Sequence, residues 1–440
     1  KKILFTMFLC LTAMGYGQGP GCPNVNAGPD VSLDCTTNCV DLNATFLLTG
    51  QTTAYTVSSV PFNPPFPAFG GTPTSVNMDD RWSSIINLPF NFCFYGNVFN
   101  RILVGSNGNV TFNTTGATTT PGGTCGYTLD AADQIPTISN SLVGNSINGV
   151  LHDIDPRHGN ANINYSVIGA APCRTFVVNY ARVPIYGNPQ ANSSETTTQI
   201  VLYETTNVIE IYVRAKPDSS PSGSGHATTN EGRAVLGIQN ANGTQGAVPP
   251  GRNTGIWSAA LEAWRFTPSG TPNYTFSWRD AANNILSNSP AYTHCVTGNE
   301  TITARVEYLN CNGNLITATD DVIIDIPSPT INLGPDQVVC DIATPVVLNS
   351  GLTGSGTISW SNGSGVIAGE TGPTLSVTQS GTYTVNYNEM FCSATDTVQV
   401  SINASPTATQ PSNIFLCDTS GSNALTASFN LSAQNATILN

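Results

Sequence analysis

Apolar and polar residues alternate in short runs along most of this chain. In a strand over Val208–Val213 (VIEIYV), the first, third and fifth residues would share one face. The other three, Ile209, Ile211 and Val213, would share the opposite face. Similar runs, rich in β-branched and aromatic residues, occur at Thr175–Val183 and Gln199–Tyr203 and are bounded by Gly, Asn and Pro. No segment shows sustained helical periodicity. The pattern predicts an all-β protein whose strands bury one face and wet the other.

The spacing of strands and turn residues divides the chain into domains. Residues 18–270 hold closely spaced strands without a strong linker, which predicts one large N-terminal β-sandwich. After a break at Thr267–Pro272, residues 271–328 predict an immunoglobulin-like sandwich and residues 329–404 a second one, of the immunoglobulin or PKD type. Residues 405–440 read as the start of a further module, as in the front part of a longer protein.

The second small domain contains three residues in the order that is typical of immunoglobulin folds. Cys340, Trp360 and Cys392 follow one another, and in that fold a core Trp packs against a disulfide that joins the two sheets. We therefore expect a Cys340–Cys392 disulfide with Trp360 buried beside it.

The first residues predict export from the cytoplasm. Two lysines precede an apolar run from Ile3 to Met14, and small residues follow it, so residues 1–17 read as a secretory signal peptide. A helix of that length is too short to cross a bilayer, and no later segment reaches transmembrane length. We expect a secreted chain that does not span the membrane.

Cysteine pairing is the default expectation for an exported chain. Of the 12 cysteines, Cys10 leaves with the signal peptide, and Cys417 is the natural unpaired one of the remaining odd number. Close spacing suggests that Cys35 and Cys39 close a small loop. Cys295 and Cys311 could join neighbouring strands. The sequence leaves four cysteines unassigned: Cys22, Cys93, Cys125 and Cys173.

The charge balance narrows the classes of partner. Only 9% of the residues are charged, and the formal net charge is -13 at pH 7. Nucleic acid is not an expected partner, because phosphate binding requires a basic face. An acidic surface keeps the protein soluble, and it also attracts divalent cations.

One stretch, Leu151–Gly159 (LHDIDPRHG), concentrates titratable residues. Asp153 and Asp155 would point the same way in a strand, with His152 and His158 flanking them. Three interpretations remain open: a strand end whose Asp side chains accept backbone hydrogen bonds, a Ca²⁺ site completed by backbone carbonyls, or an acid–base pair. We take Asp153 and Asp155 as the candidate metal ligands, and Ca²⁺ as the candidate cofactor.

Two groups of aromatic residues suggest different roles. The phenylalanines of Leu88–Gly96 alternate along the chain, which favours core packing. Those of Pro61–Gly71 (PFNPPFPAFGG) are less regular and predict a surface loop, and exposed rings are common in sugar-binding sites. The sequence contains no Gly-x-Ser-x-Gly, His-Glu-x-x-His or phosphate-binding Gly-x-x-x-x-Gly-Lys pattern, so it does not predict catalysis.

Several phrases taken in order resemble a known family. They are Phe90–Asn113, His152–Pro156, Ala171–Pro184, Gln199–Val213, Ala234–Thr244, Val248–Thr254 and Glu262–Pro268. Together they resemble the N-terminal region of large secreted surface proteins of gliding Bacteroidota, which carry immunoglobulin-like or PKD-like repeats and leave the cell by type IX secretion. The phrase GNVFNRILVGSNGNVTF is also similar to nidogen-type extracellular domains. The resemblance implies adhesion or surface structure, and it carries no catalytic residues.

The sequence therefore predicts an exported cell-surface adhesin or surface-structural protein. Its N-terminal sandwich would bind a glycan, surface or protein partner through loops held on a rigid scaffold. Two alternatives remain: an accessory region of a secreted polysaccharide-degrading enzyme, or a subunit that self-associates into filaments by passing a strand to its neighbour.

Overall fold

The computed structural model describes most of the chain. The described residues are 20–114, 125, 129, 132–138, 144–186, 195–217, 232–326, 328–340, 344–405, 408–416 and 430–438. The predicted signal peptide and Cys417 lie outside these residues. No helix in the described part is long and apolar enough to cross a membrane.

Strands make up almost all of the regular secondary structure of the described residues, which confirms the all-β prediction. The first strands are β1 (Val25–Asn26), β2 (Val31–Ser32), β3 (Cys39–Asn43), β4 (Thr45–Phe46), β5 (Tyr55–Ser59), β6 (Thr72–Pro73), β7 (Ile86–Phe94), β8 (Asn97–Val104), β9 (Asn109–Thr111) and β10 (Ser146–Leu151). Next come β11 (Asn162–Ile168), β12 (Thr175–Pro184), β13 (Glu195–Tyr203), β14 (Ile209–Lys216), β15 (Arg233–Gln239), β16 (Gly246–Ala247), β17 (Asn253–Ile256), β18 (Ala259–Pro268), β19 (Tyr274–Arg279) and β20 (Ile285–Ser287). The last are β21 (Ala291–Cys295), β22 (Glu300–Leu309), β23 (Leu315–Asp325), β24 (Gln337–Cys340), β25 (Val346–Asn349), β26 (Thr357–Asn362), β27 (Gly365–Val366), β28 (Thr374–Val377), β29 (Gly381–Glu389) and β30 (Cys392–Asn403), followed by a 3₁₀ turn (Leu431–Gln434) and the short helix α1 (Asn435–Ile438).

Contacts divide the described chain into two compact units. The first unit comprises the residues up to Pro29, Asp41–Tyr292 and Thr301–Val322, and the second comprises Asp30–Val40, Thr293–Glu300 and the residues from Ile323 onward. The domain boundaries expected from the sequence remain predictions.

Two antiparallel seven-stranded sheets form a β-sandwich in the first unit. Sheet I has the order β16-β15-β10-β9-β8-β7, with β17 beside β15, and sheet II has the order β5-β18-β14-β13-β12-β11-β6. Phe92 and Ile147 of sheet I meet Phe176 and Phe266 of sheet II in one buried apolar core. The alternating phenylalanines of β7 are buried, as predicted.

Strand β14 shows how the alternation is used. Ile209 and Ile211 lie in the core between the sheets, whereas Val208 and Tyr212 pack in a second apolar cluster on the outer face of sheet II. The expectation that this outer face is wet is wrong, because Phe62 and other residues of the Pro-rich segment cover it. Both faces of the strand are therefore buried.

A smaller sandwich lies in the second unit. Its five-stranded sheet has the order β24-β30-β29-β26-β27, and β25 and β28 form a separate pair. Trp360 of β26 is fully buried among residues of both groups, including Leu348 and Leu375, so its predicted core position is confirmed.

Four disulfides crosslink the described residues, but none is a predicted pair. They are Cys22–Cys173, Cys35–Cys392, Cys39–Cys295 and Cys93–Cys311. Cys125 and Cys340 have free thiols, the first buried and the second exposed. The general expectation of a disulfide-bonded chain is confirmed.

The predicted Cys340–Cys392 disulfide is wrong because of strand direction. Strand β24 runs parallel to β30 and brings Cys340 beside Asn403, at the end of β30 that lies opposite Cys392. At about 3.3 Å per residue, the ends of a strand of this length lie roughly 36 Å apart. A disulfide requires Cα atoms within about 7 Å of each other.

The two other proposed pairings are also wrong. Cys39 bonds Cys295 rather than Cys35, since the amide of Val296 donates to the carbonyl of Asn38 at 2.8 Å and so aligns the two neighbouring cysteines. Cys35 is bonded to Cys392 instead, and Cys311 to Cys93. Proximity along the chain did not decide the pairing, because each partner comes from a distant segment.

Candidate functional site

The two predicted metal ligands, Asp153 and Asp155, lie in the segment that follows β10 and have different surroundings. The amide of Asp155 donates to the carbonyl of Pro184 at 2.8 Å, and the amide of Tyr186 donates to the carbonyl of Asp153 at 3.1 Å. These bonds fix the backbone of this segment against the end of β12.

Asp155 forms a turn with the residues that follow it. Its carboxylate accepts hydrogen bonds from Arg157, with the shortest at 2.7 Å, and His158 lies 3.3 Å away. Burial opposes ionisation, but the bonds from Arg157 outweigh it and hold the pKa of Asp155 below its ordinary value. Asp155 therefore fits the turn interpretation, and its oxygens are occupied by Arg157.

The carboxylate of Asp153 instead lies close to two other carboxylates, neither of which was predicted from the sequence as a metal ligand. Oxygen atoms of Asp79, Asp80 and Asp153 all lie within 4.8 Å of one another, and we call these three residues the acidic cluster. Burial, together with the negative charges of Asp79 and Asp80, raises the pKa of Asp153 to about 8. Burial and neighbouring carboxylates likewise raise the pKa of Asp79 to about 6.

Asn107 connects the two segments that carry the acidic cluster. Its side-chain amide donates to Asp80 Oδ1 at 2.9 Å, and its side-chain oxygen accepts from the amide of Ile154 at 3.1 Å. The next residue, Gly108, has a φ of 87°, and a Cβ atom there would lie 2.0 Å from the carbonyl oxygen of Val150. Only glycine fits that turn. An adjacent Asp-Asp pair in a chain with few charges was the signal that could have identified Asp79 and Asp80.

The flanking histidines do not form an acid–base pair with Asp153. His152 is buried, and its Nε2 lies 3.0 Å from the Thr196 hydroxyl. Burial lowers the pKa of His152 well below its usual value, so this ring stays neutral. His158 lies against Asp155 instead.

A second candidate site lies on the outer face of sheet II. It is a cavity of about 320 Å³, which we call the aromatic pocket. Its lining residues are Phe62, Pro64, Pro65, Phe66, Pro67, Ala68, Thr197, Thr198, Gln199, Tyr212 and Arg214. The predicted surface loop thus forms one wall of this pocket, and strands β13 and β14 form the other.

Hydrogen bonds hold the Pro-rich wall of the aromatic pocket on the sheet. The side-chain amide of Gln199 donates to the carbonyl of Phe66 at 2.8 Å, and that of Asn164 donates to the carbonyl of Ala68 at 3.0 Å. The ring of Phe62 meets that of Tyr212 edge to face, at 5.9 Å between centroids. Prolines restrict this segment further, so the pocket is largely preformed.

A buried carboxylate supports the floor of the aromatic pocket. Glu210 is 1% exposed and accepts hydrogen bonds from the hydroxyls of Tyr203 and Tyr212, at 2.7 and 2.6 Å, and from Arg265 at 2.8 Å. These bonds fix the Tyr212 ring. At the wall, Thr198 Oγ1 and Gln199 Oε1 are buried without a hydrogen-bond partner.

Comparison with known proteins identifies a family for most of the first unit. The family model described as "NIDO related" matches residues 54–293, a range that contains both the acidic cluster and the aromatic pocket. No curated protein matches the chain.

Similarity to solved structures is low. Sidekick-1 immunoglobulin domains 1-5 are 10% identical, with 87% of this chain and 59% of that chain covered and a TM-score of 0.16. Drosophila OTK extracellular domains 3-5 are also 10% identical, with 86% and 97% covered and a TM-score of 0.17. Titin domains Z1Z2 in complex with telethonin are 14% identical, with 48% and 88% covered and a TM-score of 0.15. Similarity at this level carries no functional argument.

Proposed function

We propose that this chain, which belongs to the NIDO-related family, is an extracellular adhesion protein that binds a glycan in its aromatic pocket. The observation that carries the proposal is the composition of the pocket wall. Phe62, Phe66 and Tyr212 supply aromatic rings, and Thr197 and Gln199 supply polar groups beside them. The role is one of binding rather than catalysis.

The chemistry of the aromatic pocket suits a sugar better than an ion or a lipid. A sugar ring has an apolar C–H face that packs on aromatic side chains, and hydroxyls that require hydrogen-bonding partners at its edge. Arg214 is the only charged residue in the lining, so a neutral or weakly acidic glycan fits. A volume of about 320 Å³ is at the small end of ligand pockets, which limits the occupant to a short stretch of the polymer.

An extracellular location is supported by the four disulfides, because such bonds persist in oxidising compartments. The sequence resemblance supports the finer proposal, a place on the surface of a gliding member of the Bacteroidota reached by type IX secretion. Protease added to intact cells should then degrade the chain. Protection until the cells are lysed would contradict the surface location.

A glycan array followed by titration calorimetry tests the binding proposal on the full chain. For the best glycan, Phe66→Ala should weaken affinity by about tenfold or more, because it removes one ring from the pocket wall. Phe69→Ala is the matched control. Phe69 belongs to the same Pro-rich segment, is 47% exposed and lies outside the pocket lining, so its loss should leave affinity unchanged.

Two results would overturn the proposal. The first is failure of every glycan on the array to bind the wild-type chain. The second is equal affinity of the wild-type chain and the Phe66→Ala variant, which would place the binding elsewhere. Release of shortened products from the bound glycan would replace the binding role with an enzymatic one.

A further inference from the structure

We infer that the acidic cluster of Asp79, Asp80 and Asp153 is a Ca²⁺ site. The inference goes beyond the proposed glycan binding and does not depend on it, since no residue of the cluster lines the aromatic pocket. Of the two metal ligands predicted from the sequence, the inferred site retains Asp153. Asp79 and Asp80, from another segment, take the place of Asp155.

The first observation that supports a cation site is the burial of the Asp153 carboxylate. Asp153 is only 6% exposed. Among the described residues, no hydrogen-bond donor and no basic side chain contacts its carboxylate. Asp79 Oδ1 is also buried without a hydrogen-bond partner. Unpaired carboxylates away from water are costly, and folded proteins normally pair them, protonate them or coordinate a metal with them.

The surrounding charges do not compensate for the cluster. Among the described residues, Arg157 forms an ion pair with the cluster, with Nη2 3.3 Å from Asp79 Oδ2. The same guanidinium makes its shorter contacts with Asp155, so one positive charge is shared between two carboxylates. In the part of the chain that the structure describes, no basic side chain forms an ion pair with Asp80 or Asp153. A divalent ion would supply the charge that the protein does not provide.

The geometry and ligand type favour calcium. Ca²⁺ binds oxygen atoms at about 2.3–2.6 Å, so two of its ligands can lie up to roughly 5 Å apart, which accommodates the 4.8 Å limit of the cluster. The ligands are carboxylates, without a thiolate or an imidazole among them, which disfavours Zn²⁺. Mg²⁺ demands near-ideal octahedral geometry and gives up its water reluctantly, whereas Ca²⁺ tolerates an irregular set.

The cluster is also held in place before an ion arrives. Asn107 ties Asp80 to the backbone at Ile154, next to Asp153. The amide of Tyr186 fixes the carbonyl of Asp153 itself. Ligand segments that are already ordered lose little entropy on binding, so the site is suited to calcium at extracellular concentrations.

Titration calorimetry of the EDTA-treated full chain with CaCl₂ tests the inference. The wild-type chain should bind one Ca²⁺ per molecule with a Kd of about 0.1–1 mM, the range of extracellular calcium modules. Its melting temperature should rise by about 2–5 °C in roughly 10 mM CaCl₂. Asp153→Asn and Asp79→Asn should lose both effects, whereas Asp321→Asn, which removes an exposed carboxylate elsewhere, should keep them.

The stability of the metal-free Asp153→Asn variant distinguishes a calcium ligand from a residue that only stabilises the fold. If the cluster is a calcium site, the metal-free Asp153→Asn variant unfolds at the same temperature as the wild type or higher, because asparagine replaces a buried carboxyl whose ionised form has no compensating charge without the ion. Lower stability of that variant in EDTA would overturn the inference. The absence of binding heat in the wild type, or equal affinity for MgCl₂ and CaCl₂, would overturn it as well.

Discussion

The side-chain amide of Asn107 donates a hydrogen bond to Asp80 at 2.9 Å, across a gap of 27 residues in the chain. Asn107 is fully buried, and its oxygen accepts from the Ile154 amide at the same time. One side chain thus aligns both segments of the acidic cluster. The cluster is a consequence of how the turn after β8 is built, and not of the local sequence around Asp153.

Replacing Asn107 should therefore affect stability and calcium binding together. Asn107→Ala leaves the buried Ile154 amide without a partner, and we expect a loss of about 2 kcal/mol in the free energy of unfolding. Because the residue orients a ligand, calcium affinity should fall by about tenfold or more. Denaturant unfolding and calorimetry measure the two effects. Asn242→Ala, on an exposed turn, should change neither, and unaltered affinity in Asn107→Ala would separate Asn107 from the site.

The pair formed by Glu262 and Arg252 should make stability depend on acidic pH. Burial opposes ionisation of Glu262, but hydrogen bonds from Arg252 and Trp264 outweigh it and lower the pKa of this carboxyl. A carboxyl whose pKa is lower in the folded state stabilises that state above its unfolded pKa, and the contribution disappears as the pH falls through the folded pKa.

Glu262→Gln should accordingly reduce the free energy of unfolding by about 2 kcal/mol at pH 7 and by much less near pH 3. Urea unfolding of both proteins at the two pH values measures the difference. Glu370→Gln removes an exposed carboxylate and serves as the control. An equal deficit at both pH values would mean that the ionised pair does not contribute.

The two free thiols should differ sharply in reactivity. Cys340 is exposed, whereas burial raises the pKa of the Cys125 thiol to about 11, and the thiolate is the reactive form. Iodoacetamide at pH 8 should therefore alkylate Cys340 in the folded protein and Cys125 only after unfolding. Peptide mass spectrometry measures alkylation at both cysteines. Cys340→Ser should abolish the alkylation seen in the folded protein. Rapid labelling of Cys125 in the native chain would contradict its buried position.

Sequence patterns predicted the features that depend on near neighbours. Alternation along β14 identified the residues of each face, and the phenylalanines of β7 and Trp360 were correctly expected in the core. A side chain in a strand points to the side opposite its neighbours whatever the strand pairs with, so this information is local. What the alternation could not show was that the Pro-rich segment covers the outer face of sheet II, or that Glu210 is buried on that face.

By itself, the sequence determined that this chain is built of strands, which residues of a strand share a face, and that its cysteines form disulfides. Only the tertiary structure decided which cysteines pair and which carboxylates meet. Cys35 and Cys392 are 357 positions apart, and Asp153 meets Asp79 and Asp80 although the four described strands β7 to β10 lie between them in the sequence. Such encounters depend on strand order, direction and register, and these follow from the packing of each whole unit rather than from any one segment.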